Sequence, residues 1–322
     1  MNAPIHIILG PTASGKERAA VLVAEQLGAD IISADSMKIY REMRIGTASP
    51  PPEFRARVRH WCVEIADPSE SFSVAKWVAA AEAAMAEIEA AGRPILFSGG
   101  TALYYKGLVE GLFNGPSAHP EIRARIEADL ERLGPEAVHG QLLELDPAAG
   151  AKIHPNDRQR VIRALEVVRA SGKPISGEQT QFGRMRTDRP VIMVGLNWPR
   201  ATLYERVHAR VDRMVSEGLV DEARRLFERV PSASHQARQA VGYAELFRHF
   251  AGDISLDEAV ELIKQNSRHL AKHQITWFRK FPCQWIAMDD TRTPEDVAAE
   301  ILERFRQPDR RDPPPPCEPS IR

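Results

Sequence analysis

The sequence predicts an α/β protein: a parallel sheet covered by helices, interrupted by a helical insertion. Three observations lead there. Short, continuously apolar runs alternate with helical stretches, the pattern of strands buried on both faces of a parallel sheet. A glycine-rich turn of phosphate-holding type lies between the first apolar run and the first helical pattern. From about Ser117 to Arg189 the alternation stops, and helical patterns succeed one another with no convincing strand.

The strands are read at Ile5–Leu9, Ile31–Ser33, Pro94–Ser98, Val191–Asn197 and Gln284–Met288. Between Ile5–Leu9 and the helical pattern Arg18–Leu27 stand Gly10, Pro11, Thr12, Ala13, Ser14, Gly15 and Lys16. The glycines let backbone N–H groups converge on phosphate oxygens, the helix start adds partial positive charge, and Lys16 adds a full one. The core is therefore read as P-loop NTPase-like. One residue departs from the pattern: the Ser or Thr whose hydroxyl would hold magnesium is here Glu17.

The second strand ends in Ser33-Ala34-Asp35-Ser36-Met37-Lys38. Ligands bind at the carboxyl ends of such strands, so Asp35 and the phosphate loop should share a crevice. An acid there can ligate metal or accept a proton, or simply cap the next helix. The strand Pro94–Ser98 likewise ends in Gly99-Gly100-Thr101, where Thr101 offers a hydroxyl.

In the insertion, helices are expected at Pro120–Leu133, Glu136–Leu145 and Asn156–Ala170, the last capped by Asn156 or Asp157. The predicted organisation is core 1–116, insertion 117–189, core 190–306, and a disordered Pro-rich tail 307–322. Composition excludes several classes. Lys and Arg total 43 against 44 Asp and Glu, so any nucleic-acid site must come from local clustering. Cys62, Cys283 and Cys317 form no C-x-x-C pair, which speaks against a disulfide framework or zinc and for a reducing cytosol. No apolar run approaches about 18 residues and no basic-then-apolar leader is present, which predicts a cytoplasmic protein without a membrane span.

Taken together, GPTASGK (10–16), ISADSMKIYREMRIGTASP (32–50), DPSESFSV (67–74), GGTALYYKGLVEGL (99–112), HPNDRQRVIRALEV (154–167), GYAEL (242–246) and AKHQITWFRKF (271–281) resemble the tRNA dimethylallyltransferase family. The resemblance implies transfer of a dimethylallyl group from dimethylallyl diphosphate to N6 of the adenosine 3′-adjacent to the anticodon, in tRNAs reading U-initial codons. It implies that the loop binds the donor's diphosphate, that the insertion grips the anticodon stem-loop, and that the target base is flipped out to meet the donor. The chain is expected to be a monomer.

Departure of the diphosphate dominates the barrier, so the site must neutralise its charge. Lys16, Thr12 and the backbone of residues 13–16 suit that role, with Glu17 completing the loop. Asp35 is the candidate general base. Arg206, Arg210 and Arg213 share one helix face, and the resemblance assigns Arg210 to the diphosphate. It carries Asp35, Ser36, Met37, Lys38, Arg123, Gln159, Arg160, Val161, Ile162 and Arg163 to the tRNA surface, and Thr101 is a further contact, to phosphate or to the tRNA. A basic stripe, Lys264, Arg268 and Lys272, would add phosphate contacts. Trp277 and Phe278 are read as core anchors. Lys38 often stands as glutamine in the family, and His273 replaces a usual arginine. Magnesium is the implied cofactor, with Glu17 and Ser36 its candidate ligands. Glu17 leaves three outcomes open: metal coordination, pairing with Arg18 or another cation, or weaker donor binding. The competing readings are a P-loop nucleotide kinase, a prenyltransferase of free adenine nucleotides, and a non-catalytic tRNA-binding relative.

Overall fold

A computed structural model describes residues 3–111, 119–178, 185–229, 233–307 and 310–315. Six strands form one wholly parallel sheet: β1 (Ile5–Leu9), β2 (Asp30–Ser33), β3 (His60–Trp61), β4 (Ile95–Gly99), β5 (Val191–Asn197) and β6 (Gln284–Ala287), in the order β3-β2-β4-β1-β5-β6. The central strands are buried along almost their whole length, which is why they read as unbroken apolar runs. β3 has no counterpart in the sequence reading: two residues give no periodic signal.

The chain divides into two compact units, Met1–Val109 with Thr187–Arg322, and Glu110–Arg186. In the first, helices Lys16–Leu27 and Pro294–Phe305 pack on one another and on the sheet, burying Val21, Leu96, Val194, Leu203, Ile286 and Ile301 among others. Local chemistry fixes the helix starts. Ser255 and Glu258 box the long helix Leu256–Phe278, and Thr293 accepts from Asp296 N before Pro294–Phe305.

The second unit holds helices Pro120–Leu133, Pro135–Leu145 and Arg158–Ser171, with short turns of helix at Pro147–Gly150 and Ile175–Glu178. Ile126, Leu130, Val138, Leu142, Val161, Ile162 and Leu165 form its own core. Asp157 is the cap of Arg158–Ser171, accepting Arg160 N at 3.3 Å.

The order of strands puts the ends of β2, β4 and β1 side by side. Their outgoing loops (34–36, 99–101 and 10–15) therefore line one rim. Gly99 touches the neighbouring strand end so closely that a Cβ there would lie 2.2 Å from the Ala34 carbonyl oxygen. Among the described residues no helix is long and apolar enough to cross a membrane.

The expectation of a disordered tail is corrected at its start. Asp312 accepts Trp285 N at 2.8 Å and Arg304 Nη1 at 2.8 Å, and its own N–H reaches Cys283 O. These bonds occupy the edge strand β6, so residues 310–312 are held by the sheet. Residues 308–309 and 316–322 of that segment lie outside the described residues.

Candidate active site

The phosphate loop bends through two left-handed residues, Ala13 at φ 62° and Gly15 at φ 84°. Its carbonyls are taken from behind. Pro11 O accepts Ser14 N at 3.2 Å and Lys16 Nζ at 3.3 Å, Ala13 O accepts Arg206 Nε at 3.2 Å, and Ser14 O accepts Trp198 Nε1 at 3.0 Å. With its carbonyls engaged, such a turn has its N–H groups to offer a ligand, the arrangement that holds anions. Thr12 and Ser14 are exceptions: Thr12 N–H donates to Gln274 Oε1 at 2.8 Å, and Ser14 N–H is already given to Pro11 O. Thr12 therefore brings only its hydroxyl.

Lys16 is buried, and that burial, reinforced by the like charge of Lys38, pulls its ammonium down to about 8. Glu17 is not paired with Arg18. Lys38 Nζ donates to Glu17 Oε2 at 2.6 Å, while Oε1 is buried without a hydrogen-bond partner among the described residues. Burial would raise the Glu17 carboxyl, but Lys38 and Lys16 outweigh it and hold the group below its usual range. Arg210 stands among the same charges. Burial makes its guanidinium less basic, with Asp35 and Glu17 opposing that effect. Of its two neighbours on the helix Arg200–Ser216, Arg206 lies on the Trp198 ring at 4.1 Å and braces the loop, and Arg213 faces solvent beside Glu217.

Asp35 is held in a turn. Oδ1 accepts Met37 N at 2.9 Å and Lys38 N at 3.3 Å, a turn rather than a helix cap. Fixed in this way, the carboxylate leaves Oδ2 for other chemistry. Thr101 ties the next loop to it: Thr101 N donates to Ala34 O at 3.0 Å, and its Oγ1 accepts Ser36 N at 2.9 Å.

Several expectations need correction. Lys38, assigned to the tRNA surface, is 5 % exposed and paired with Glu17. Val161 and Ile162 lie in the core of the insertion unit, because they occupy the apolar face of Arg158–Ser171. Arg163 is paired with Glu166 at 2.9 Å but stays partly open, and Glu166 also accepts His119 N. Arg160 (with Asp157 at 3.3 Å), Gln159 and Arg123 (with Glu127 at 3.1 Å) remain at the surface, at least partly open. In the stripe, Lys264 is taken by Asp212 and Glu261, and Arg268 by His208, which leaves Lys272 exposed. Phe278 is a core anchor, but Trp277 is only half-buried and has Lys280 4.8 Å above its ring.

Two residues escaped the sequence reading. Gln274 bridges two loops of the rim, accepting Thr12 N and donating to Gly100 O at 3.0 Å. Its only signal was membership of the AKHQITWFRKF stretch. Glu222, buried, accepts Arg44 N, Ile45 N and Gly46 N, each at 2.9–3.0 Å, and Tyr243 OH at 2.6 Å. It sits in no motif, yet it joins the IGTA and GYAEL segments.

Comparison with known proteins finds similar chains. The family model described as IPP transferase matches residues 38–281, and one described as isopentenyl transferase matches residues 3–70. The tRNA dimethylallyltransferase of Geobacter sulfurreducens is 44 % identical over 281 residues, covering 87 % of this chain and 90 % of that protein. That of Symbiobacterium thermophilum is 43 % identical over 310 residues, covering 95 % and 96 %. The crystal structure of the tRNA isopentenylpyrophosphate transferase of Bacillus halodurans superposes with a TM-score of 0.69 at 37 % identity, covering 95 % of this chain and 98 % of that one. A phosphate loop beside a turn-held aspartate, on a chain matched over nearly its full length, leaves one conclusion: the protein belongs to the IPP transferase family, the tRNA-prenylating transferases.

Proposed function

We propose that the protein transfers a dimethylallyl group from dimethylallyl diphosphate to the N6 amine of the adenosine 3′-adjacent to the anticodon, in tRNAs reading U-initial codons. The N6–C bond forms as the C–O bond to diphosphate breaks, the amine proton goes to Asp35, and diphosphate leaves. The observation that carries this reading is the fixed Asp35 carboxylate, Oδ1 held by two N–H groups, at the strand end beside the phosphate loop.

Each residue then has a task. Lys16, Arg210, the Thr12 hydroxyl and the loop backbone neutralise the departing diphosphate, whose charge grows as the allylic carbon separates. Asp35 Oδ2 receives the proton from a weakly nucleophilic aromatic amine, a contribution typically of about 10²–10⁴-fold. Thr101 and Ser36 hold the two loops together and keep the carboxylate in register with the donor. Magnesium fits the residues present: Glu17 Oε1 is a buried oxygen with no partner among the described residues, and Ser36 offers Oγ. When bound, the ion would supply further positive charge to the diphosphate.

The acceptor is read as the anticodon stem-loop of tRNA, with Arg123, Gln159 and Arg160 of the insertion as phosphate and base contacts. The protein is read as a cytoplasmic monomer. Incubation with labelled dimethylallyl diphosphate and either tRNA or AMP tests the whole. Label in tRNA is the expected result. Label in AMP, or tRNA binding without transfer, overturns it.

A further inference from the structure

In a phosphate loop the residue after the lysine presents a neutral hydroxyl to the metal. Here two charged side chains stand in its place, Glu17 and the Lys38 that holds it at 2.6 Å. Each has unused capacity. An ammonium has three N–H donors, and among the described residues Lys38 Nζ makes no hydrogen bond besides the one to Glu17. Glu17 Oε1 accepts none. Lys38 is nearly inaccessible, and a buried ammonium with one partner is costly unless a further anion completes it. The pair borders Lys16 and the loop, where that anion would sit. One partner can still accept a cation and the other can still bind an anion.

We propose that Lys38 and Glu17 form a lock opened by the donor: the diphosphate draws the Lys38 ammonium to itself, and Glu17, released, becomes the ligand of the metal ion. The inference rests on the reading of the loop as the diphosphate site and deepens it. While Lys38 neutralises Glu17, a divalent ion alone finds little charge to bind. Once diphosphate competes for Lys38, the carboxylate is free. Metal and diphosphate therefore strengthen one another's binding, and reciprocally so.

The test uses the full chain, with Mn2+ binding measured by electron paramagnetic resonance and inorganic pyrophosphate binding by calorimetry. Lys38→Gln should bind Mn2+ alone at least 10-fold more tightly than wild type, because Glu17 is unmasked, and should bind metal-free pyrophosphate at least 10-fold more weakly. Glu17→Gln should bind metal-free pyrophosphate at least as tightly as wild type, since Lys38 is no longer contested, and lose the tightening of Mn2+ that pyrophosphate brings beyond their association in solution. Lys38→Arg should restore the wild-type pattern, which separates the lock from a mere loss of folding. Mn2+ binding to Lys38→Gln that is no tighter than wild type overturns the lock, as does unchanged pyrophosphate affinity in that variant. Wild type that fails to bind pyrophosphate under any condition overturns the donor-loop reading itself, and the lock with it.

Discussion

Gln274 and Thr12, 262 residues apart in the chain, meet at 2.8 Å, the amide oxygen of one accepting the backbone N–H of the other. The Gln274 Nε2 end holds Gly100 O, so one side chain from the helix Leu256–Phe278 fixes the spacing of two loops that carry the donor-side residues. Gln274→Ala should leave a loop N–H and a carbonyl without their partner, costing about 1–3 kcal/mol of stability. Pyrophosphate affinity should fall by about 10-fold, the same order of free energy. Thermal melts and calorimetry on the variant check both.

Asp35→Asn should retain tRNA binding and lose turnover by about 10²–10⁴-fold, since the amide keeps the turn's hydrogen bonds but takes no proton. Single-turnover prenylation measured beside filter-binding of tRNA separates the two quantities. A variant with near-normal kcat would remove Asp35 from the role of base.

Lys16 gives the site a pH dependence. Burial and the neighbouring Lys38 set its folded pKa at about 8, below the ordinary lysine range. Diphosphate binding needs the charged form, so affinity should be full below about pH 8 and weaken above it, by up to about 10-fold per pH unit. Binding near that pH should take up a proton, visible as a calorimetric heat that varies with the buffer's ionisation enthalpy. For folding the sign is opposite. Between the folded value and the ordinary one the unfolded chain binds more protons, so this group's contribution to stability rises with pH across that window.

Glu222 joins two distant segments through three backbone N–H groups and the Tyr243 hydroxyl. Glu222→Ala strands all four donors and should cost at least about 3 kcal/mol, while Tyr243→Phe removes one bond and should cost roughly 1 kcal/mol. Chemical denaturation of both variants, with m-values compared, measures the difference.

At the insertion, exposed Arg160 pairs with half-buried Asp157 at 3.3 Å. Arg160→Ala should weaken tRNA binding across sequences and lower the slope of log K against log salt by about 1, leaving pyrophosphate affinity unchanged. An unchanged salt slope would take Arg160 off the tRNA surface.

The strands with unbroken apolar runs could be read from the chain because the sheet's own geometry demands them, and the loop could be read because phosphate chemistry demands glycine and lysine together. β3 could not, since a two-residue strand is made by its neighbour rather than by its own pattern. The setting of Asp35 was half legible: an acid at a strand end is visible, but not that the N–H groups of Met37 and Lys38 would fix one of its oxygens. Lys38 was carried to the tRNA surface by resemblance, and only the fold brings it to Glu17. Gln274 was hidden by distance, as neutral amides carry no motif until their two partners are known. Val161 and Ile162 were placed on the outside by resemblance alone, though their helical spacing already marked them as inward.

The contact between Gly99 and the Ala34 carbonyl has a last consequence. With main chain against main chain, nothing adjustable separates the aspartate's strand from its neighbour at that point. The spacing of these two strand ends is thereby cut into the backbone itself, and side-chain exchange elsewhere can alter the chemistry of the rim without widening it.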